Sequence, residues 1–220
     1  MGKDLISKVL TEGAIVSTRL AASNIWLQNI IYRSNNHKVS ISLLNEYLEN
    51  IIMVGHPIVL KHTSEWNEIL FESEIVEIHP DFPSHVKVNI TGIKEQKNIR
   101  AFPRYDVYLA SNVTAGEYVN DSFAIIHNIS LVGVAFYSRV DLHPEEDNVK
   151  ITMYLTNNRT VSAVGKINRK VPHTDFIEYG FQFTKMHEDN NNTLSSYFGL
   201  LEIDRTSLRE EYINCIKKHM

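Results

Sequence analysis

Apolar residues along this chain fall into short alternating or clustered runs separated by polar turn residues. A half-buried strand repeats its buried positions every two residues, and this period dominates the sequence. In the first half it predicts strands from Ala14 to Leu20, Ile25 to Tyr32, Val39 to Leu43, Pro57 to Lys61, Ile69 to Ile78 and Val86 to Ile90. Gly55-His56-Pro57 and Pro80-Asp81-Phe82-Pro83 supply turn chemistry between neighbours. A small antiparallel β-barrel is the expectation for this half.

The polar segment Thr91 to Asn98 lacks hydrophobic periodicity and reads as a connector. Strand signals resume at Tyr105 to Leu109, Tyr118 to Ile126, Val132 to Tyr137, Val149 to Leu155, Thr160 to Ile167 and Ile177 to Phe183. Six strands suffice to close a second barrel. From Met186 the pattern turns helical, with a short helix expected up to Leu201. A further helix is expected from Asp204, its N-cap, to Lys218, because Leu208, Tyr212 and Ile216 recur at i, i+4 and i+8. The fold class is therefore mainly β, two small antiparallel barrels followed by a C-terminal helix or helices. The expected division is 1–94 for the first barrel, 95–104 for a linker arm, 98–200 for the second domain and 201–220 for the terminal helix.

Composition narrows the function classes. The chain has 220 residues, 22 basic and 26 acidic, for a net charge of −4. A protein that grips a nucleic-acid backbone through many phosphates shows a basic excess, so nucleic acid is an unexpected partner. With 43% hydrophobic residues the chain can build ordinary globular cores. Cys215 is the single cysteine, which excludes an intramolecular disulfide and fits a reducing cytosol; in its helix it is expected to be a small buried hydrophobe. The first residues carry no apolar block of signal-peptide length, and no run approaches the roughly 18 apolar residues of a spanning helix. A soluble, cytoplasmic protein is expected.

Catalytic signatures are missing. No phosphate-binding G-x-x-x-x-G-K-[ST] loop, G-x-G-x-x-G turn, G-x-S-x-G elbow or H-E-x-x-H pair is present. The histidines are scattered, and His56, His62, His79 and His127 read as surface or turn residues rather than ligands. No catalytic residue, metal site or cofactor is assigned, and a non-enzymatic role is expected.

One constellation carries chemistry. Arg100-Ala-Phe-Pro-Arg104 precedes a strand, and Asn128-Ile-Ser-Leu-Val-Gly133 follows between the second and third strands of the second set. The arginine spacing alone specifies nothing, since Arg205-Thr-Ser-Leu-Arg209 repeats it in a helix with no polar companion. Two guanidinium forks suit phosphate and the O6/N7 edge of guanine, and Arg also stacks on a base. Residues i and i+4 of an extended arm lie about 13 Å apart, and a turn at Pro103 brings them closer. Asn128 offers donor and acceptor, Ser130 a rotatable hydroxyl, and Gly133 a backbone free of Cβ. Taken singly, each is also an ordinary linker charge, turn former or hairpin glycine.

In this order the motifs resemble the PilZ domain of bacterial cyclic di-GMP receptors, and Tyr179-Gly-Phe-Gln-Phe183 is similar to that family's last strand. The resemblance spans residues 98 to about 200. Gly13-Ala-Ile-Val, Ile51-Ile-Met-Val-Gly55 and Phe71-Glu-Ser-Glu-Ile-Val-Glu-Ile78 resemble the amino-terminal split barrel of YcgR-like flagellar brake proteins, which precedes a PilZ domain. The resemblance implies a cyclic di-GMP ligand held by Arg100, Arg104, Asn128, Ser130 and Gly133. Lys166 and Arg169 are secondary candidates for phosphate contact. Many relatives start the arm with consecutive arginines; here Asn98 and Ile99 precede Arg100, and because Ile99 cannot pair with a second nucleotide, one dinucleotide per site is expected. The implied output is a ligand-dependent rearrangement of the two halves that a protein partner reads, in a flagellar motor or another output complex, controlling motility or surface attachment. A cyclic di-GMP-responsive transcription regulator, an interaction module without ligand and a dinucleotide hydrolase are the alternatives.

Overall fold

The computed structural model describes residues 2–21, 23–64, 67–97, 100–115, 121–142 and 149–220. Contacts divide the chain into two compact units, Met1–Ile99 with Glu202–Met220, and Arg100–Leu201.

The first unit holds α1 (Gly2–Val9), β1 (Ile15–Leu20), β2 (Leu27–Asn35), β3 (Lys38–Ser42), α2 (Asn45–Glu49), β4 (Pro57–Thr63), β5 (Asn67–His79) and β6 (His85–Lys97). Its strands close in the order β1-β2-β3-β6-β5-β4, each pairing antiparallel. Closure removes exposed strand edges. Alternation supplies the core: in β1 every second residue is buried, and Ile41, Leu60, Phe71, Ile75 and Val88 meet inside. A short helix missing from the sequence expectations, α1, adds Ile6 to this core, and Leu10 joins it just past the helix end. Its eight residues hold too few turns for the period to declare itself.

Polar groups buried in this barrel are matched to one another. Asn29, fully buried, donates to the Ser42 carbonyl (3.2 Å) and the Tyr47 hydroxyl (3.1 Å) and accepts from the Ile30 N–H (2.7 Å) and the Ser42 N–H (3.1 Å). Tyr47 also shares a hydrogen bond with Thr18. Burial raises the Tyr47 phenol to about 12, keeping it neutral.

The segment expected as a connector is strand as far as Lys97. β6 pairs with β5 through Glu72↔Gly92, Leu70↔Lys94 and Asn67↔Lys97. Polar residues serve here because their partners lie across the ladder: Lys94 pairs with Glu72, and Asn67 donates to Glu95 at 2.7 Å.

The second unit contains β7 (Tyr105–Thr114), β8 (Ser122–Ser130), β9 (Gly133–Ser138), β10 (Val149–Tyr154), β11 (Thr160–Pro172) and β12 (Ile177–Met186). They close antiparallel in the order β10-β11-β12-β9-β8-β7. Of the expected strand from Tyr118, residues 118–120 lie outside the described residues. The core collects Phe136, Ile151, Met153, Tyr179 and Phe181, with Leu194, Tyr197 and Phe198 from the helix that follows.

That helix, α3 (Glu188–Asn214), is a single element where two were expected. Asp204 is therefore an interior position, not an N-cap. The stripe of Leu208, Tyr212 and Ile216 is present and packs on Ile30 and Tyr32 of the first unit. Tyr212 stacks on Tyr32 (5.7 Å between centroids) and donates to its carbonyl at 2.7 Å. Cys215 is exposed, against expectation, because it sits one position off the buried stripe.

Candidate functional site

Four strands of the second barrel, β8, β9, β12 and β11, carry the candidate residues on their outer face. Antiparallel register aligns side chains of paired residues on one side of a sheet. Tracing it across the strands gives two transverse rows. One runs Ser130, Gly133, Gln182, Lys166; the other runs Asp106, Asn128, Ala135, Gly180, Arg169. Between them, Ile129, Val134, Phe181 and Ile167 are buried in the core. The structure thus brings Asn128, Ser130, Gly133, Lys166 and Arg169 onto two neighbouring rows. Lys166 and Arg169 lie inside β11, which extends past a bulge between Ile167 and Arg169.

Gly133, Ala135 and Gly180 leave these rows nearly free of side-chain volume in the middle. Each glycine has a packing reason. A Cβ on Gly133 would collide with the Phe181 carbonyl, so close approach of β9 to β12, rather than a left-handed φ, requires glycine. A Cβ on Gly180 would stand 2.8 Å from Asn168 Oδ1 and 3.0 Å from Arg169 Cβ, crowding the bulged strand.

The hairpin between β8 and β9 is held by Ser130. Its hydroxyl donates to the Gly133 carbonyl (3.1 Å) and accepts from the Val132 N–H (3.4 Å), and the residue is buried. Asn128 donates to Asp106 at 3.2 Å. The block Tyr179 to Phe183 divides its tasks. Tyr179 donates to the Val140 carbonyl (3.0 Å) and accepts from the Leu142 N–H (2.8 Å), pinning the segment after β9. Phe181 joins the core, Gln182 is exposed in the first row, and the Phe183 N–H donates to Val132 at 2.9 Å.

Arg100 and Arg104 are exposed on the irregular segment before β7. Tyr105 pairs with Ile129 and Asp106 with Asn128, so the arm enters β7 beside the strand that carries Asn128 and Ser130. Tyr105 stacks on Phe198 of α3 (4.8 Å), fixing where the arm leaves the barrel. Ile99 lies outside the described residues.

Sequence reasoning missed Glu178 and the residues around it. Arg169 pairs with Glu178, whose side chain is 16% exposed, and His127 and His173 approach the same carboxylate at 3.7 and 3.4 Å. His127, expected at the surface, is only 15% exposed because it stacks on Tyr137 at 4.2 Å. Among the described residues no three His, Cys, Asp or Glu side chains form a metal-ligand group, and no helix is long and apolar enough to cross a membrane.

The rows form a polar platform with Lys166 and Arg169 at the β11 end, Ser130 and Asp106 at the other, and the Asn128 and Gln182 amides between, chemistry suited to a flat heterocycle carrying an anion. The family profile described as PilZ domain matches residues 98–199. This segment is a PilZ domain. No curated protein matches the sequence. Among solved structures, Escherichia coli YcgR in complex with c-di-GMP matches with 9% identity and a TM-score of 0.47, covering 94% of this chain and 92% of that one. The K. pneumonia MrkH–c-di-GMP complex matches at 13% and 0.44, covering 87% and 89%. The Bacillus subtilis inhibitor of motility MotI matches at 12% and 0.43, covering 88% and 98%.

Proposed function

We propose that this protein is a cytoplasmic cyclic di-GMP receptor without catalytic activity of its own, whose PilZ domain takes one dinucleotide per chain. The observation that carries the reading is the convergence of the Asn128-x-Ser-x-x-Gly133 hairpin and the start of β7, just past Arg104, at one end of the platform. Arg100 and Arg104 grip phosphate or the guanine O6/N7 edge, Asn128 adds an amide, and Ser130 and Gly133 shape the hairpin beneath. Lys166 and Arg169 extend the cationic border toward the second phosphate. Charge-assisted hydrogen bonds contribute about 1.5–3 kcal/mol each. Two arginines therefore supply a large part of the roughly −8 kcal/mol of a micromolar complex.

The arm carrying the arginines follows directly on the first unit. Ligand that orders this arm alters the arrangement of the two units, and a partner protein reads the change. The YcgR-like motifs in the first half favour a partner in motility or surface-attachment control. Calorimetric titration of cyclic di-GMP into the wild type and Arg104→Ala tests the reading. One site per chain, weakened about 10- to 150-fold in the variant, is expected; equal affinity in both, or two ligands per chain, contradicts it.

A further inference from the structure

Arg169 is the outermost residue of the second row, and its guanidinium is only partly enclosed. Its side chain is 58% exposed, while that of Glu178, which accepts from Arg169 Nη2 through Oε1, is 16% exposed. An ion pair with one exposed member contributes little to stability, at most about 1 kcal/mol, whereas enclosing a carboxylate carries a desolvation penalty. The pair is therefore poorly explained as a stabilising device.

Two histidines flank Glu178. His127 Nε2 lies 3.7 Å from Oε1, and His173 Nε2 lies 3.4 Å from Oε2. His127 stacks on Tyr137 (4.2 Å, 12° between planes), Tyr137 packs on Phe176 (4.8 Å), and Phe176 on His173 (4.6 Å). A continuous set of rings thus joins the two histidines that flank the carboxylate. A guanidinium has five N–H donors, and this contact uses one. The remaining donors stay uncommitted beside Gly180, against which Asn168 Oδ1 also lies, and the row continues through Ala135 to Asn128. Three strand spacings, roughly 14 Å, separate the Arg169 and Asn128 backbones, room for a macrocycle about a nanometre across.

We propose that Glu178 is a positioning residue: flanked by the ring cluster, it orients Arg169 so that the guanidinium meets the far phosphate or base of the bound dinucleotide. This rests on the receptor reading above. The carboxylate leaves most of the guanidinium donors uncommitted, so it orients the cation rather than blocking it.

A double-mutant cycle measured by calorimetry with cyclic di-GMP tests the assignment. Glu178→Ala and Arg169→Ala each raise Kd by about tenfold, the effect of one charge-assisted hydrogen bond. Glu178→Ala adds no further loss when Arg169 is already alanine, and Glu178→Gln, which keeps an acceptor, restores most of the affinity. Glu178→Leu preserves packing volume and carries the same expectation if the alanine variant does not fold. An unchanged Kd in a folded Glu178 variant, or an equal loss with and without Arg169, overturns the positioning role while leaving the receptor reading intact. No binding to the wild type overturns both.

Discussion

Ser130 spends its hydroxyl inside the hairpin, donating to Gly133 and accepting from Val132. Its main task is to set the turn between β8 and β9. Ser130→Ala is expected to lower stability by about 1 kcal/mol, the net worth of such a bond, measured as a reduced urea midpoint. Gly133→Ala is expected to cost about 1–3 kcal/mol because its methyl would meet the Phe181 carbonyl; an unchanged midpoint would show that β9 and β12 can separate at no cost. Asn128, Ser130 and Gly133 were legible in the sequence because a hairpin keeps its chemistry within six residues. Ala135, Gly180, Gln182 and Glu178 were not. They reach the platform through strand pairing, and alanine and glycine announce no chemistry of their own.

The twelve strands among the described residues followed from period-two alternation, since nearly every one has one face in a barrel core. Two elements escaped this logic for opposite reasons. The end of β6 looks like a loop because its charges find partners on β5. α3 looks like two helices because Asp204, a residue type that caps helix starts, follows the apolar end of the first helical pattern at Leu201, whereas the helix runs through both. Gly199 is exposed, and an added Cβ there meets nothing within 4 Å. Gly199→Ala should therefore stabilise the protein by about 1 kcal/mol, the helix-propensity difference, seen as a higher thermal midpoint. A lower midpoint would mean that α3 is not helical through this position.

Across the whole molecule, acid sensitivity is expected to begin in the first unit. Burial, reinforced by Arg205, lowers the pKa of His62, and burial also lowers that of His85, beside His79, Lys87 and Arg33. A histidine depressed in the folded state binds its proton more readily once unfolded. Its contribution is present above the ordinary value of 6.5 and is lost as pH falls below it. Thermal midpoints should fall between pH 7.5 and pH 5, and less steeply in a variant carrying His62→Gln and His85→Gln; an equal slope would contradict this assignment.

The most direct test of the central claim is a map of backbone amide shifts during titration with cyclic di-GMP. The largest changes should fall on residues 100–102 and Arg104, on the hairpin from Asn128 to Gly133, and on Gly180 and Gln182 across the same face. Shifts confined to the first barrel, or none at saturating dinucleotide, would contradict the account.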